Sequence, residues 1–125
     1  AEILSFVFPP RDDLQSTEDA DIRGEDRIEL TRNEASVNLS NSYGWAVYNK
    51  PVPLWVTSSR ALATFSTHFP FVIGQRSDGE NGYGDGLAFF MAPFDLQQPL
   101  QAVGGGLGLF NATTQNGSFY QMVAV

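Results

Sequence analysis

The stretch GYGDGLAFFMAP, residues 82–93, sets one acid, Asp85, between two glycines at the mouth of an apolar run. The run itself, GLAFFMA (86–92), is apolar on both faces of an extended chain. A strand of that kind belongs in the middle of a sheet, with apolar layers on either side and little solvent. The charge at its entrance is a different matter. A carboxylate at the mouth of a buried strand is costly unless a group outside the core uses it. A plainer reading stays open, in which Asp85 is only the acid of an Asp-Gly turn.

Outward from this strand, the chain reads as more of the same class. RALATFSTHFPFVIG (60–74) is the longest strand candidate. It places Ala61, Ala63, Phe65, Thr67, Phe69 and Phe71 on one face, and Leu62, Thr64, Ser66, His68 and Pro70 on the other. ILSFVF (3–8) and DRIELT (26–31) alternate in the same way, and the first stops at Pro9-Pro10. YGWAVYNKPVPLW (43–55) reads as two short strands around Lys50-Pro51, and SFYQMVAV (118–125) as a last strand. RDDLQSTEDA (11–20) is polar and reads as a loop, as does the glycine-rich QRSDGENGYGD (75–85). Many short strands without a helical period predict an all-β sandwich. Nothing resembles a linker, so residues 1–125 read as part of a single domain.

Composition excludes several classes. Hydrophobic residues make up 42% of the 125 and charged residues 17%, which is a core-forming balance rather than a disordered one. The net charge of −7 and seven scattered basic residues argue against a nucleic-acid partner. The absence of cysteine excludes a disulfide framework and a thiol nucleophile. No apolar stretch reaches the ~18–20 residues of a membrane span, so membrane insertion is not expected.

The order of motifs resembles the N-terminal half of the legume lectins. SFVF is similar to their first strand, and IELT to the strand usually written L-Q-L-T. GWAVYNKPVPLW resembles a segment that carries Arg where this chain has Trp45. ATFSTHFPFVI is similar to their A-S-F-x-T-x-F strand, GDGLAFFMAP to A-D-G-L-A-F-F, and GGGLGLF (104–110) to a glycine loop ending L-G-V-F. MVAV matches the start of V-A-V-E-F-D-T. The resemblance covers nearly the whole chain. It implies a concanavalin A-like jelly-roll sandwich of antiparallel sheets, and a lectin that recognises glycans reversibly without catalysis.

Carried over residue by residue, the resemblance implies a carbohydrate site. Asp85 would accept hydrogen bonds from two sugar hydroxyls, which suits a group made only of acceptors. The peptide between Gly84 and Asp85 would be cis, with Gly84 standing where Ala is more usual. Gly86 would let the sugar approach closely. The backbone N–H of Gly105 would donate to the sugar, and Gly106 would occupy a position where the family often has Tyr, Phe or Thr. Taken alone, Gly104–Gly106 reads as a flexible turn.

The same resemblance implies what lies elsewhere. Calcium and manganese sit on a motif beginning E-F-D-T, so no metal ligand is expected in this chain. The expectation is the N-terminal part of a two-chain, proteolytically processed lectin, completed by a second lectin chain, with homo-oligomers of such pairs. The sugar is expected to be of the mannose/glucose type, with galactose/N-acetylgalactosamine as the alternative. A seed defence or storage protein with an impaired site is a further alternative, and a receptor ectodomain of the same fold another. Sequons at Asn38, Asn111 and Asn116 are N-glycosylation candidates and fit a secretory route to seed vacuoles, protein bodies or the cell exterior.

An enzyme on the same sandwich is the reading from another class. Glycoside hydrolysis needs two carboxylates ~5–9.5 Å apart. The nearest candidates, Glu25 with Asp26 and Asp78 with Glu80, do not lie on an apolar strand face. His68 is the single histidine and reads as a surface or interface residue. Trp45 and Trp55 read as packing residues, with sugar stacking as the rival use.

Overall fold

The computed structural model describes residues 4–34, 36–74, 84–111 and 121–125. Eight strands appear among them: β1 (Leu14–Glu18), β2 (Asp21–Arg23), β3 (Arg27–Glu29), β4 (Gly44–Tyr48), β5 (Trp55–Val56), β6 (Ala61–Leu62), β7 (Phe90–Met91) and β8 (Val123–Ala124). They pair β1 with β4, β2 with β3, β5 with β6 and β7 with β8, always antiparallel. Two single 3-10 turns, Arg11–Asp13 and Gly104–Gly106, are the only helical elements described. The architecture is all-β and antiparallel, as the alternation predicts.

The longest ladder corrects the reading of residues 11–20 as a loop. Leu14 pairs with Tyr48, and the register runs on to Glu18 opposite Gly44. Of its polar side chains Thr17 is hydrogen-bonded, to Gln98, while Asp13 and Asp19 just outside the strand hold Lys50 and Arg32. A distant partner, β4, supplies the ladder, and local polarity carries no trace of it. The corner after β1 is fixed by Asp19. Its carboxylate accepts from the Ser42 hydroxyl at 2.8 Å and the Tyr43 N–H at 3.2 Å, and pairs with the Arg32 guanidinium at 3.3 Å. At the other end of the ladder, Lys50 meets Asp13 at 2.8 Å. Hydrogen bonding to Asp13 holds the Lys50 ammonium above its ordinary pKa.

Two other strand readings also shift. Residues 4–8 form no ladder among the described residues, although Phe6 stacks on Tyr48 with ring centroids 4.8 Å apart. Of residues 60–74 only Ala61–Leu62 is laddered, with Ala63 N–H donating to the Leu54 carbonyl at 2.8 Å. The alternation beyond it still has a consequence. Phe65, Thr67 and Phe69 line one groove together with Phe89, Met91, Val123 and Val125. Three extended segments thus present every second side chain to one apolar space of about 260 Å³.

β7 explains its own composition. Phe90 points to one side and packs on Trp45, with ring centroids 4.7 Å apart. Phe89 and Met91 point to the other side, into the groove. The Trp45 side is the closed one: Trp45, Ala20, Ile22, Ala102 and Leu109 form the buried core. The groove side is open, with Phe65 62%, Val123 65% and Val125 91% exposed.

Gly44, at the end of the β1–β4 ladder, tests this packing. A Cβ there would lie 2.5 Å from the Ala20 nitrogen and 2.8 Å from the Leu30 carbonyl oxygen, both backbone atoms that cannot swing aside. Gly44→Ala is expected to lower stability by about 1–3 kcal/mol. At Gly74 a Cβ would meet nothing within 4 Å, and Gly74→Ala should stay within about 0.5 kcal/mol of the parent. Denaturant unfolding of the three proteins measures both. Equal midpoints for Gly44→Ala and the parent would contradict this packing.

Candidate functional site

Asp85 and the glycine loop lie 20 residues apart in sequence and meet in the fold. The run from Gly84 to Phe89 leads into β7, so Asp85 stands just outside the first paired residues. β7 is held on β8, and the ladder is lengthened by paired bonds between Phe89 and Val125 at 3.0 and 2.9 Å. The peptide between Gly84 and Asp85 is cis. Asp85 is exposed, and its carboxylate makes no hydrogen bond or ion pair among the described residues. The side-chain bond that would mark it as the acid of an Asp-Gly turn is therefore absent among them.

The loop comes to Asp85 as a tight 3-10 turn. Gly104 has φ +62°, in the region that L side chains rarely adopt, and a Cβ on it would lie 3.6 Å from Asp85 Oδ2. Glycine here serves the turn, and the 3.6 Å separation is ordinary van der Waals contact that puts the carboxylate against the turn. The turn closes through Gly106 N–H to the Val103 carbonyl at 3.2 Å and Leu107 N–H to the Gly104 carbonyl at 3.0 Å. Gly108, Leu109 and Phe110 N–H groups are likewise bonded within the loop. The Gly105 N–H has no partner among the described residues, and Gly105 is exposed. The free carboxylate thus lies against Gly104, the residue before the one with the free backbone donor, and both Asp85 and Gly105 are exposed.

The other expected positions lie as follows. Gly84 and Gly86 flank Asp85 on the exposed surface, and Gly86 faces Leu107, whose Cδ2 would lie 3.4 Å from an added Cβ. Gly106 is buried, yet a Cβ there would meet nothing within 4 Å. The space that a side chain at this position would enter is open. A carboxylate acceptor beside a backbone donor can hold neighbouring hydroxyls, each of which both donates and accepts.

What sequence reasoning missed is the anchor of the loop. Trp45, buried to 4% exposure, donates its indole N–H to the Gly108 carbonyl. Gln98 donates to the same oxygen at 3.1 Å, and Thr17 donates to the Gln98 side-chain oxygen. The Gln101 N–H donates to the Tyr43 hydroxyl at 2.8 Å. Only the departure at Trp45 from the usual Arg hinted at this, because the partners lie 63 and 81 residues apart.

The other candidates disperse. Trp55 is 65% exposed on β5, and His68 is exposed. Glu25 and Asp26 sit in the turn between β2 and β3. Asp78, Glu80 and Asn116 lie outside the described residues. Asn38 is exposed, and its side-chain oxygen accepts from Ser40 N–H at 2.9 Å; Asn111 donates to the Leu100 carbonyl at 3.0 Å. Among the described residues no three His, Asp or Glu side chains are grouped to hold a metal ion. The described donor set does not suit calcium or manganese by itself. No described helix is long and apolar enough to cross a membrane.

Comparison with known proteins bears on the whole chain. Residues 3–125 match the family model described as the legume lectin domain. A bark lectin of Styphnolobium japonicum is 42% identical over 130 residues, covering 100% of this chain and 46% of that protein. The L-type lectin-domain containing receptor kinase IX.1 of Arabidopsis thaliana is 41% identical, over 84% of this chain and 16% of that protein. The 2-acetamido-2-deoxy-D-galactose-binding seed lectin 2 of Cytisus scoparius is 37% identical, over 100% of this chain and 51% of that protein. The chain spans about half the length, or less, of these curated relatives.

Proposed function

The chain belongs to the legume lectin family, and from that premise we propose that it carries the first half of a non-catalytic sugar-binding site. Its antiparallel all-β architecture is that of the family's jelly-roll sandwich. The observation that carries the reading is the meeting of Asp85 with the 104–106 turn, where a free carboxylate and the free Gly105 N–H stand together. Asp85 would accept from two sugar hydroxyls while Gly105 donates to one of them. Gly84 and Gly86 keep side chains away from the sugar, and the space at Gly106 leaves room for a substituent.

The sugar class follows two lines. The family pattern of cleaved members supports the mannose/glucose type. The Cytisus relative, named for 2-acetamido-2-deoxy-D-galactose, supports the galactose/N-acetylgalactosamine type. Seed and bark relatives support a secretory and vacuolar or extracellular location. Exposed sequons at this surface would be modified on that route, Asn38 first because it is exposed.

The open groove supports the partner reading. A large apolar side chain gains about 1.5–3 kcal/mol when it is covered. Phe65, Phe69, Phe89, Met91, Val123 and Val125 together leave a large gain unrealised. A second lectin segment, in the same or another chain, would close the sandwich over them. It would also bring the calcium and manganese ligands that the described residues lack, and oligomers of the completed unit would raise avidity.

Two measurements test this. A saccharide array followed by calorimetry on the intact protein should find one of the two sugar classes. Asp85→Asn should then weaken binding about tenfold or more, as expected for hydrogen bonds to a charged group. Binding undiminished by Asp85→Asn would remove Asp85 from the site. Native and denaturing mass spectrometry, with metal analysis, should show these residues joined to or accompanied by further lectin sequence with calcium and manganese. A folded, metal-free species of this chain alone would contradict the completion of the sandwich.

A further inference from the structure

We infer that Thr17, Trp45 and Gln98 are positioning residues for the sugar site, acting as a clamp on the Gly108 carbonyl that holds the Gly105 N–H beside Asp85. The inference rests on the reading of Asp85 and Gly105 as sugar ligands.

The clamp is built by the β1–β4 register. Thr17 and Trp45 are cross-strand partners, so their side chains leave the ladder on one face. Trp45 reaches the Gly108 oxygen directly, and Thr17 reaches it through Gln98. The oxygen therefore receives two donors, the Trp45 indole directly and the Gln98 amide, which Thr17 holds. Gly108 lies close to both: a Cβ on it would come within 3.1 Å of Gln98 Nε2 and 3.4 Å of Trp45 Cδ1. The Gly108 N–H is meanwhile tied to the Ala102 carbonyl at 2.9 Å, which closes the loop around the turn.

Trp45 has a second contact, and that contact gives the clamp its use. Its ring packs on Phe90, the first residue of β7 and five residues after Asp85. One buried side chain thus fixes both halves of the site: the strand that carries the carboxylate and the loop that carries the donor. A turn rich in glycine has many accessible conformations when untethered. Two hydrogen bonds to its exit carbonyl restrict it where pre-organisation matters most for binding.

The test uses the intact protein. Trp45→Phe keeps a ring against Phe90 and removes the indole N–H. Gln98→Ala, at a half-buried position, serves if the first variant folds poorly. Amide hydrogen exchange followed by mass spectrometry reads residues 104–110 against β1 and β4. Calorimetry reads affinity for the sugar that the parent binds best. The clamp predicts about tenfold faster exchange in residues 104–110, unchanged exchange in β1 and β4, and about tenfold weaker sugar binding. Faster exchange everywhere marks Trp45 as a general packing residue and overturns the positioning role. So does faster loop exchange with unaltered affinity, or no change in either. A parent protein that binds no sugar overturns the sugar reading, while its exchange result still decides whether the clamp holds the loop.

Discussion

Trp45 sits where three parts of the chain converge. Its ring rests on Phe90, its N–H meets the Gly108 carbonyl, and its backbone is laddered to Thr17. Residues far apart in sequence are joined there: β1, β4, the strand after Asp85 and the 98–110 loop. An indole is one of few side chains that can fill a core and still deliver a donor to a buried carbonyl. Burying that carbonyl without a donor would cost about 1–3 kcal/mol. The buried core and the turn beside Asp85 are therefore tied together by the same residue.

β7 and the residue before it turn to two sides. Phe90 packs on the buried Trp45, while Phe89 and Met91 look into an open apolar groove with Phe65, Phe69, Val123 and Val125. An apolar face of this kind invites a cover, since covering it is favourable and leaving it bare promotes association. The curated relatives it matches are about twice the length of this chain or longer.

Much of this was legible in the residues. The alternation in 60–74 puts Phe65, Thr67 and Phe69 on one face, as found. The apolar run 86–92 predicts a central strand with little solvent, and among the described residues it instead pairs with one strand, β8, is half-buried, and turns Phe89 and Met91 to an open groove. The motif order identified the family. Other features had no local signal. β1 was read as a loop because its polar residues are paired by a strand about 30 residues away. Ladder formation in 63–74 was over-read, because alternation reports which face is apolar and says nothing about whether a partner strand is present. The clamp on Gly108 was invisible for the same reason: hydrogen bonds between residues tens of positions apart leave no periodicity.

The most direct test of the account is a crystal structure of the intact protein soaked with the monosaccharide that binds best. The account predicts sugar hydroxyls within hydrogen-bond distance of the Asp85 carboxylate and the Gly105 N–H, with the loop in its present turn. A sugar bound elsewhere, with Asp85 and Gly105 both facing only water, would contradict it.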